Sequence, residues 1–244
     1  ALLNMVLSMQ EKMCFTPEDV GISFTAFSFD ASEFDAFTYI LNEVPLVVIQ
    51  HRGKYVQNLE KMNEICKEYK VTLLFLSTVL AERFAGLENE YLRILSFGGE
   101  RFGKTISTSY QLCNVYGLTE TGIFNTWYPI QGNEKEIPVG TPIQNTDIVV
   151  IDEEENIVER GVEGEIIVLG ESLGLGYKDD PEKTDARFIS VKAMQNRRGC
   201  RTGDIGYVGK DGNLYYKERA DKQIKISGYR IELGEIKFRC QQLD

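Results

Sequence analysis

The sequence is poor in the residues that build metal centres and catalytic triads. It has a single histidine, His51, in 244 residues, and one histidine without companions cannot complete a zinc site or a Ser-His-Asp triad. His51 follows an apolar run, so we interpret it as a structural residue. The five cysteines include no CxxC pair, and their odd number argues against a complete disulfide framework. This cysteine usage fits a reducing compartment, so we expect a cytoplasmic protein.

The chain also lacks an excess of basic residues and long apolar runs. Acidic residues outnumber basic ones by 37 to 27, and no cluster of arginine and lysine stands out, so we expect no nucleic-acid partner. The longest apolar stretches, 45–49 and 71–76, are far below the roughly 20 residues that cross a bilayer. We therefore expect no membrane partner. Residues 1–13 indicate an amphipathic helix rather than a signal peptide, and we expect the chain to be part of something longer.

Residues 20–116 alternate between short β-rich runs and helical patterns, which predicts βαβ units with a parallel sheet. Strands are predicted at 20–27, 45–50, 71–76 and 92–97, and helices at 32–41, 54–69 and 77–84. The apolar runs are continuous, as expected where helices cover both faces of the sheet. Because ligands of such sheets bind beyond the carboxyl ends of the strands, motifs at those positions have the greatest functional weight.

The pattern changes after about residue 142, where short β segments are separated by acidic or glycine-containing turns. These segments are predicted at 146–151, 157–158 and 164–169. Asp211-Gly212 supplies the positive φ angles of a tight hairpin turn, and Ser227-Gly228 divides a second hairpin.

The predicted fold class is therefore α/β. A parallel βαβ region is expected at 1–142, a mainly antiparallel β subdomain at 143–220, and the beginning of a small α+β C-terminal domain at 221–244.

The densest cluster of functional side chains is Asn114-Val115-Tyr116-Gly117-Leu118-Thr119-Glu120-Thr121, directly after a predicted strand. Tyrosine offers an aromatic face for a base, asparagine an amide for base-edge hydrogen bonds, and glutamate a hard oxygen ligand for magnesium. Taken alone, the same composition also fits a polar strand-to-helix turn with threonine as helix cap.

Six motifs in order give the cluster its context. They are FDAS at 29–32, GGE at 98–100, NVYGLTET at 114–121, GEIIVLGESLGLGY at 164–177, RTGD at 201–204 and ERADKQIKISGYRIELGEI at 218–236. Together they resemble successive core motifs of the adenylate-forming superfamily, in particular the adenylation domains of nonribosomal peptide synthetases. The resemblance covers nearly the whole chain.

The resemblance implies a binding site for ATP or AMP. Tyr116 would stack on adenine, Asn114 would contact the adenine amino group, and Asp204 would accept hydrogen bonds from both ribose hydroxyls. The remaining implied nucleotide contacts are Gly98, Gly99, Glu100, Gly117, Tyr216 and Arg219.

The resemblance also implies catalytic residues and a hinge. Thr119 would meet the α-phosphate or the acyl carboxylate, and Glu120 would help hold Mg²⁺ between the ATP phosphates. Asp221 aligns with a hinge about which the small domain rotates between adenylation and transfer to a phosphopantetheine thiol. The implied partners are a carrier protein and neighbouring synthetase domains. The family's phosphate loop and distal lysine are not found in the chain, so we expect it to be inactive alone.

The amino-acid pocket of the family aligns with nine residues, of which only Asp30 is charged. They are Asp30, Ala31, Phe34, Phe75, Ser96, Gly98, Val115, Ile123 and Phe124. Asp30 would pair with the α-ammonium group of the substrate. The apolar remainder resembles pockets for branched aliphatic side chains, which predicts isoleucine or valine.

Two alternatives to amino-acid activation remain open at this point. One is a degenerate or split module that binds nucleotide or partner domains without catalysis. The other is an acyl-CoA synthetase or aryl-acid ligase of the same superfamily. Asp30 disfavours these ligases, because a carboxylate facing an apolar tail without a positive partner costs several kcal/mol of desolvation.

Overall fold

The structure, a computed structural model, describes residues 1–103 and 107–220, the backbone of 223–226 and 229–232, and residue 240. The first sheet is formed by β1 (Gly21–Ser23), β2 (Leu46–Val48), β3 (Leu73–Ser77), β4 (Ile94–Gly98), β5 (Gln111–Tyr116), β6 (Thr126–Pro129) and β7 (Thr141–Pro142). Its strand order is β2-β1-β3-β4-β5-β6-β7. The first five strands are parallel, as predicted, whereas β6 and β7 extend the sheet in antiparallel fashion.

Helices cover this sheet. They are α1 (Leu2–Met13), α2 (Ala31–Glu33), α3 (Gly53–Val56), α4 (Leu59–Glu68) and α5 (Thr78–Phe84), with a π-helical turn at Phe34–Thr38. The single helix predicted at 54–69 is divided because Asn58 leaves helical geometry and its side chain accepts a hydrogen bond from the Lys61 N–H. No helix in the described ranges combines the length and the apolarity needed to cross a bilayer.

Strand β3 shows how both faces of the sheet are buried. Leu74 and Leu76 pack in the core on one face, with residues of α4 and α5. Leu73 and Phe75 pack in the core on the other face, with methionines of α1. All four side chains are buried. A continuous apolar strand is therefore required, as its sequence indicated.

The second sheet is antiparallel. It contains β8 (Thr146–Ile151), β9 (Gly164–Gly170), β10 (Phe188–Val191), β11 (Arg197–Val208) and β12 (Leu214–Arg219), with α6 (Pro181–Arg187) before β10. The order is β10-β11-β9-β8, and β12 pairs with β11. The predicted segment at 157–158 makes only an isolated bridge to Ile151. Strands β13 (Gln223–Ile226) and β14 (Tyr229–Glu232) form the second predicted hairpin.

Candidate functional site

A cavity of about 560 Å³ lies at the carboxyl ends of the parallel strands, within the size range of small-molecule sites, about 300–1,000 Å³. Eleven of the predicted site residues line it: Asp30, Ala31, Phe75, Gly98, Gly99, Val115, Gly117, Thr119, Ile123, Phe124 and Arg219. They come from the segments that follow β1, β4 and β5, including the start of α2, from β3, β4 and β5 themselves, and from the end of β12. The cavity thus occupies the edge of the sheet at which ligand binding was expected.

Gly98, at the end of β4, allows two strands to approach closely beneath the cavity. A Cβ atom at this position would lie 2.5 Å from the Val115 carbonyl oxygen. Any side chain would force β4 and β5 apart. Glycine is therefore required at position 98 for β4 and β5 to pair as they do at the cavity.

Asp30 is the only acidic residue among those lining the cavity. Its Oδ1 accepts a hydrogen bond from the Ala31 N–H at 2.7 Å, and its Oδ2 accepts one from the Thr119 hydroxyl at 2.6 Å. The structure thus brings Asp30 and Thr119, which are 89 positions apart in the chain, into direct contact.

Aromatic rings form the apolar wall of the cavity. The centroid of the Phe124 ring lies 5.2 Å from that of Phe75 and 5.0 Å from that of Phe34. Phe75 and Phe124 line the cavity, whereas Phe34 supports them from behind. Ser96 is also fully buried behind the lining, and its hydroxyl donates to the Leu74 carbonyl at 3.4 Å. Seven of the nine predicted substrate residues therefore line the cavity, and Phe34 and Ser96 do not.

Ile123 adopts an unusual backbone conformation in the cavity wall, with φ of 76°. A β-branched residue at positive φ is sterically disfavoured and costs on the order of 1–3 kcal/mol. The turn around it is fixed by a hydrogen bond from the Ile123 N–H to the Leu118 carbonyl at 3.1 Å. Backbone strain of this kind is concentrated at ligand sites.

A polar cluster beside the cavity joins the two sheets, and of its members only Arg219 lines the cavity. The Tyr116 hydroxyl, at the end of β5, donates to Asp204 Oδ2 at 2.7 Å, and Arg219 Nη1 donates to Asp204 Oδ1 at 2.9 Å. The Tyr216 ring lies 6.5 Å from the Tyr116 ring. Burial, with the Asp204 charge beside it, raises the pKa of the Tyr116 phenol far above its usual range. The phenol therefore remains a hydrogen-bond donor at neutral pH.

Like Tyr116, Tyr216 and Asp204, the remaining predicted nucleotide and magnesium residues lie outside the cavity lining. The Asn114 side chain is buried and donates to the Pro138 carbonyl at 2.9 Å. Glu100 contacts Thr78 through its backbone N–H and carbonyl. Glu120 accepts a hydrogen bond from the Tyr177 hydroxyl at 2.6 Å. The predicted hinge, Asp221, falls outside the described residues.

No group of three or more His, Cys, Asp and Glu side chains capable of holding a metal occurs in the part of the chain that the structure describes. Glu120, predicted to help hold Mg²⁺, is a single carboxylate in this setting, and its role in metal binding stays a prediction. A single carboxylate suits Mg²⁺, because this ion is commonly held by one or two carboxylates together with substrate phosphates and water.

Sequence reasoning missed a buried acid beside the cavity. Asp35 lies in the π-helical turn, and its Oδ2 accepts hydrogen bonds from the Phe24 N–H at 3.1 Å and the Thr25 N–H at 2.8 Å. Burial raises the pKa of the Asp35 carboxyl to about 7, although the N–H donors oppose this shift. The sequence signal was an acidic residue in an otherwise apolar helical stretch. Phe24 and Thr25 line the cavity, so Asp35 fixes part of its wall.

Comparison with known proteins identifies the family. The sequence profile of a family described as "AMP-binding enzyme" matches residues 1–178. The chain belongs to this family. It is 35% identical to bacitracin synthase 1 of Bacillus licheniformis over 98% of its length, and 34% identical to surfactin synthase subunit 1 of Bacillus subtilis (strain 168) over its whole length.

Solved structures show the same fold. One is PA1221, described as a nonribosomal peptide synthetase protein containing adenylation and PCP domains, with a TM-score of 0.83 and 24% identity over 98% of this chain. Another is the Vibrio cholerae adenylation domain AlmE in complex with glycyl-adenosine-5'-phosphate, with a TM-score of 0.82 and 24% identity over 97% of this chain. The mixed α/β fold is therefore that of adenylation domains.

The chain spans 4% and 7% of the two synthases, and 51% and 47% of the two solved chains. The comparisons confirm the predicted family and fold class. The domain boundaries at residues 142 and 220 and the individual roles of the site residues stay predictions.

Proposed function

We propose that this chain forms the amino-acid and nucleotide pocket of an enzyme that converts ATP and an amino acid into aminoacyl-AMP and pyrophosphate. One observation carries the proposal: a single carboxylate, Asp30, faces a cavity whose wall is otherwise built from apolar side chains, glycine backbone, hydroxyls and arginine. A carboxylate so placed requires a cationic ligand group, and the α-ammonium of an amino acid supplies one. The same requirement weighs against a carboxylic acid that lacks the amine.

The proposed substrate is a branched aliphatic amino acid such as isoleucine or valine. Phe75, Phe124 and Val115 offer an apolar wall, and no acidic residue other than Asp30 lines the cavity. A cationic substrate side chain would therefore lose hydration without gaining a partner, and an anionic one would gain none from the aromatic wall itself. Because one methylene in an apolar pocket is worth only about 1–3 kcal/mol, selection among isoleucine, valine and leucine is the weakest part of the selectivity.

The proposed cofactors are ATP and Mg²⁺. Asp204 and Tyr116 would hold the ribose and adenine, and Thr119 and Glu120 would act at the phosphates, with Mg²⁺ supplying charge neutralisation when bound. The proposed partners are the phosphopantetheine arm of a carrier protein and neighbouring synthetase domains, in the cytoplasm. A solved neighbour that combines adenylation and PCP domains supports this arrangement.

Amino-acid-dependent pyrophosphate exchange, measured on the protein that contains this chain, tests the proposal. We expect exchange with isoleucine or valine to exceed that with phenylalanine, and to exceed that with lysine or glutamate by a wide margin. Exchange driven best by a carboxylic acid without an amine would instead indicate an acyl-CoA or aryl-acid ligase. Nucleotide binding without exchange by any amino acid would indicate a degenerate binding module.

A further inference from the structure

A part of the cavity lies beyond the residues assigned to the amino acid and the nucleotide. It is located where β2, β1 and β3 end, and we call it the arginine lobe. Its members are Phe24, Thr25, Ser28, Arg52, Ser77 and Arg83. Two guanidinium groups and three hydroxyls make it rich in hydrogen-bond donors.

The two arginines of the lobe differ from most arginines of the chain. Among the arginine side chains that the structure describes, only those of Arg52, Arg83 and Arg160 form neither a hydrogen bond nor an ion pair. Two of these three line one cavity. In a chain of net charge −10, two guanidinium groups that form neither a hydrogen bond nor an ion pair are unexpected in one place.

Of the two arginines, Arg52 gives the stronger evidence for a ligand. Its Nε is buried and has no hydrogen-bond partner among the described residues. A buried donor without an acceptor costs about 1–3 kcal/mol, so the position is explained if a ligand supplies the acceptor. The guanidinium carbon lies 5.1 Å from the centre of the Phe24 ring, and this contact holds the planar group beside the cavity.

The acidic groups near Arg52 do not occupy the lobe. Asp35 lies on the π-helical turn, and its Oδ2 is taken by two backbone N–H groups. Asp30 lines the cavity but already accepts two hydrogen bonds, from Ala31 and Thr119. Neither carboxylate forms a hydrogen bond or an ion pair with Arg52 or Arg83, although burial, which raises the pKa of Asp35, is opposed in part by the charge of Arg52. The Arg52 Nε donor therefore stays available to a ligand.

We infer that the arginine lobe is a binding subsite for a phosphoryl group. Phosphate oxygens match the planar forks of two guanidinium groups, and hydroxyl donors complete such a site. The inference rests on the proposed function for the origin of the ligand. That origin is either the polyphosphate of the nucleotide or the phosphate of a carrier protein's pantetheine arm.

Titration calorimetry with inorganic pyrophosphate tests the subsite directly. We expect Arg52→Gln to weaken pyrophosphate binding about tenfold and Arg83→Gln, at an exposed position, about threefold. Arg52→Lys keeps the charge without the fork and should recover part of the loss. The matched control is Arg160→Gln, because Arg160 is exposed and lies outside the cavity. Thermal melting of each variant checks that the fold is retained.

Paired ligands distinguish the two origins. If the unsubstituted chain binds ATP more tightly than AMP and Arg52→Gln loses this preference, the subsite belongs to the nucleotide. If the unsubstituted chain binds phosphopantetheine more tightly than pantetheine and Arg52→Gln loses that preference, the subsite belongs to the carrier arm. Pyrophosphate binding that is absent, or unchanged in folded Arg52→Gln and Arg83→Gln, overturns the inference. If AMP and isoleucine still bind in that case, the proposed function stands. If they also fail to bind, the proposed function fails as well.

Discussion

The two ends of the candidate site are built on different physical principles. At the end proposed for the amino acid, the Asp30 carboxylate faces phenylalanine rings in tilted and edge-to-face contact and a glycine floor. At the end proposed for the nucleotide, Tyr116, Asp204 and Arg219 join two sheets through charge-assisted hydrogen bonds. Shape and one charge therefore govern the first end, whereas a connected polar network governs the second. Substitutions at the two ends should consequently differ in the ligand that they affect.

The largest effect is expected at Asp30. Asp30→Ala leaves the substrate ammonium without its partner, which costs about 3–5 kcal/mol and lowers pyrophosphate exchange by about two to three orders of magnitude. AMP affinity should change far less. Glu33→Ala is the matched control, because Glu33 is a nearby exposed carboxylate that does not line the cavity. Equal losses in both variants would contradict the role given to Asp30.

Asp204→Ala should affect the opposite ligand. We expect AMP binding to weaken about ten- to hundredfold, or roughly 1.5–3 kcal/mol, because hydrogen bonds to a charged acceptor are lost and Arg219 is left without this partner. Calorimetry with AMP and with GMP measures the effect and the base preference. Unchanged AMP affinity, or equal affinity of the unsubstituted chain for both nucleotides, would contradict the assignment of this end.

The pH dependence of folding stability tests whether the pKa of Asp35, which supports the cavity wall, is raised. The pKa of Asp35 is raised to about 7 in the folded chain, whereas an unfolded aspartate titrates near about 3.9. The folded state therefore holds more protons between these values, and Asp35 lowers stability as the pH rises from about 4 to about 7, by up to about 1.4 kcal/mol per pH unit.

Asp35→Asn removes this titration and keeps an acceptor for the two N–H groups. Urea unfolding at pH 5 and pH 7 should show that the variant gains stability relative to the unsubstituted chain at the higher pH. A difference that is the same at both pH values would show that Asp35 titrates normally.

The smallest effect is expected at Ser96. Because its buried hydroxyl donates to the Leu74 carbonyl rather than lining the cavity, Ser96→Ala should cost about 0.5–1.5 kcal/mol of stability at most. The order of preference among isoleucine, valine and leucine should not change. A new order in pyrophosphate exchange would place Ser96 in contact with the substrate.

Local patterns were sufficient to predict much of the fold. The strand at Thr146–Ile151 has the predicted bounds, and the buried run of β3 was recognised because its side chains pack on both faces of the sheet. The antiparallel strands β6 and β7 were missed, since a hairpin at the end of a parallel sheet depends on partners from elsewhere in the chain. The π-helical turn was missed for the same reason.

The sequence was sufficient to predict which residues belong to the candidate site, but not which of them contact one another. Motif order indicated Asp30 and Thr119 separately, but only the tertiary fold places one against the other. Ser96 and Asn114 lie on strands at the expected positions, yet strand pairing and packing turn their polar groups toward backbone carbonyls. Arg52 and Asp35 belong to no motif, and burial alone makes them unusual.

The Thr119 hydroxyl donates a hydrogen bond to Asp30. A ligand that binds Asp30 therefore exchanges hydrogen-bond donors with Thr119 as it enters the cavity. Under the proposed function, an incoming ammonium group must share or replace a donor that the carboxylate already has. A neutral ligand brings no donor of comparable strength and gains nothing from the exchange. Under the proposed function, Thr119 would thereby select for ligands that carry a positive charge. The fit of the ligand side chain against the phenylalanine wall would add a second, separate selection.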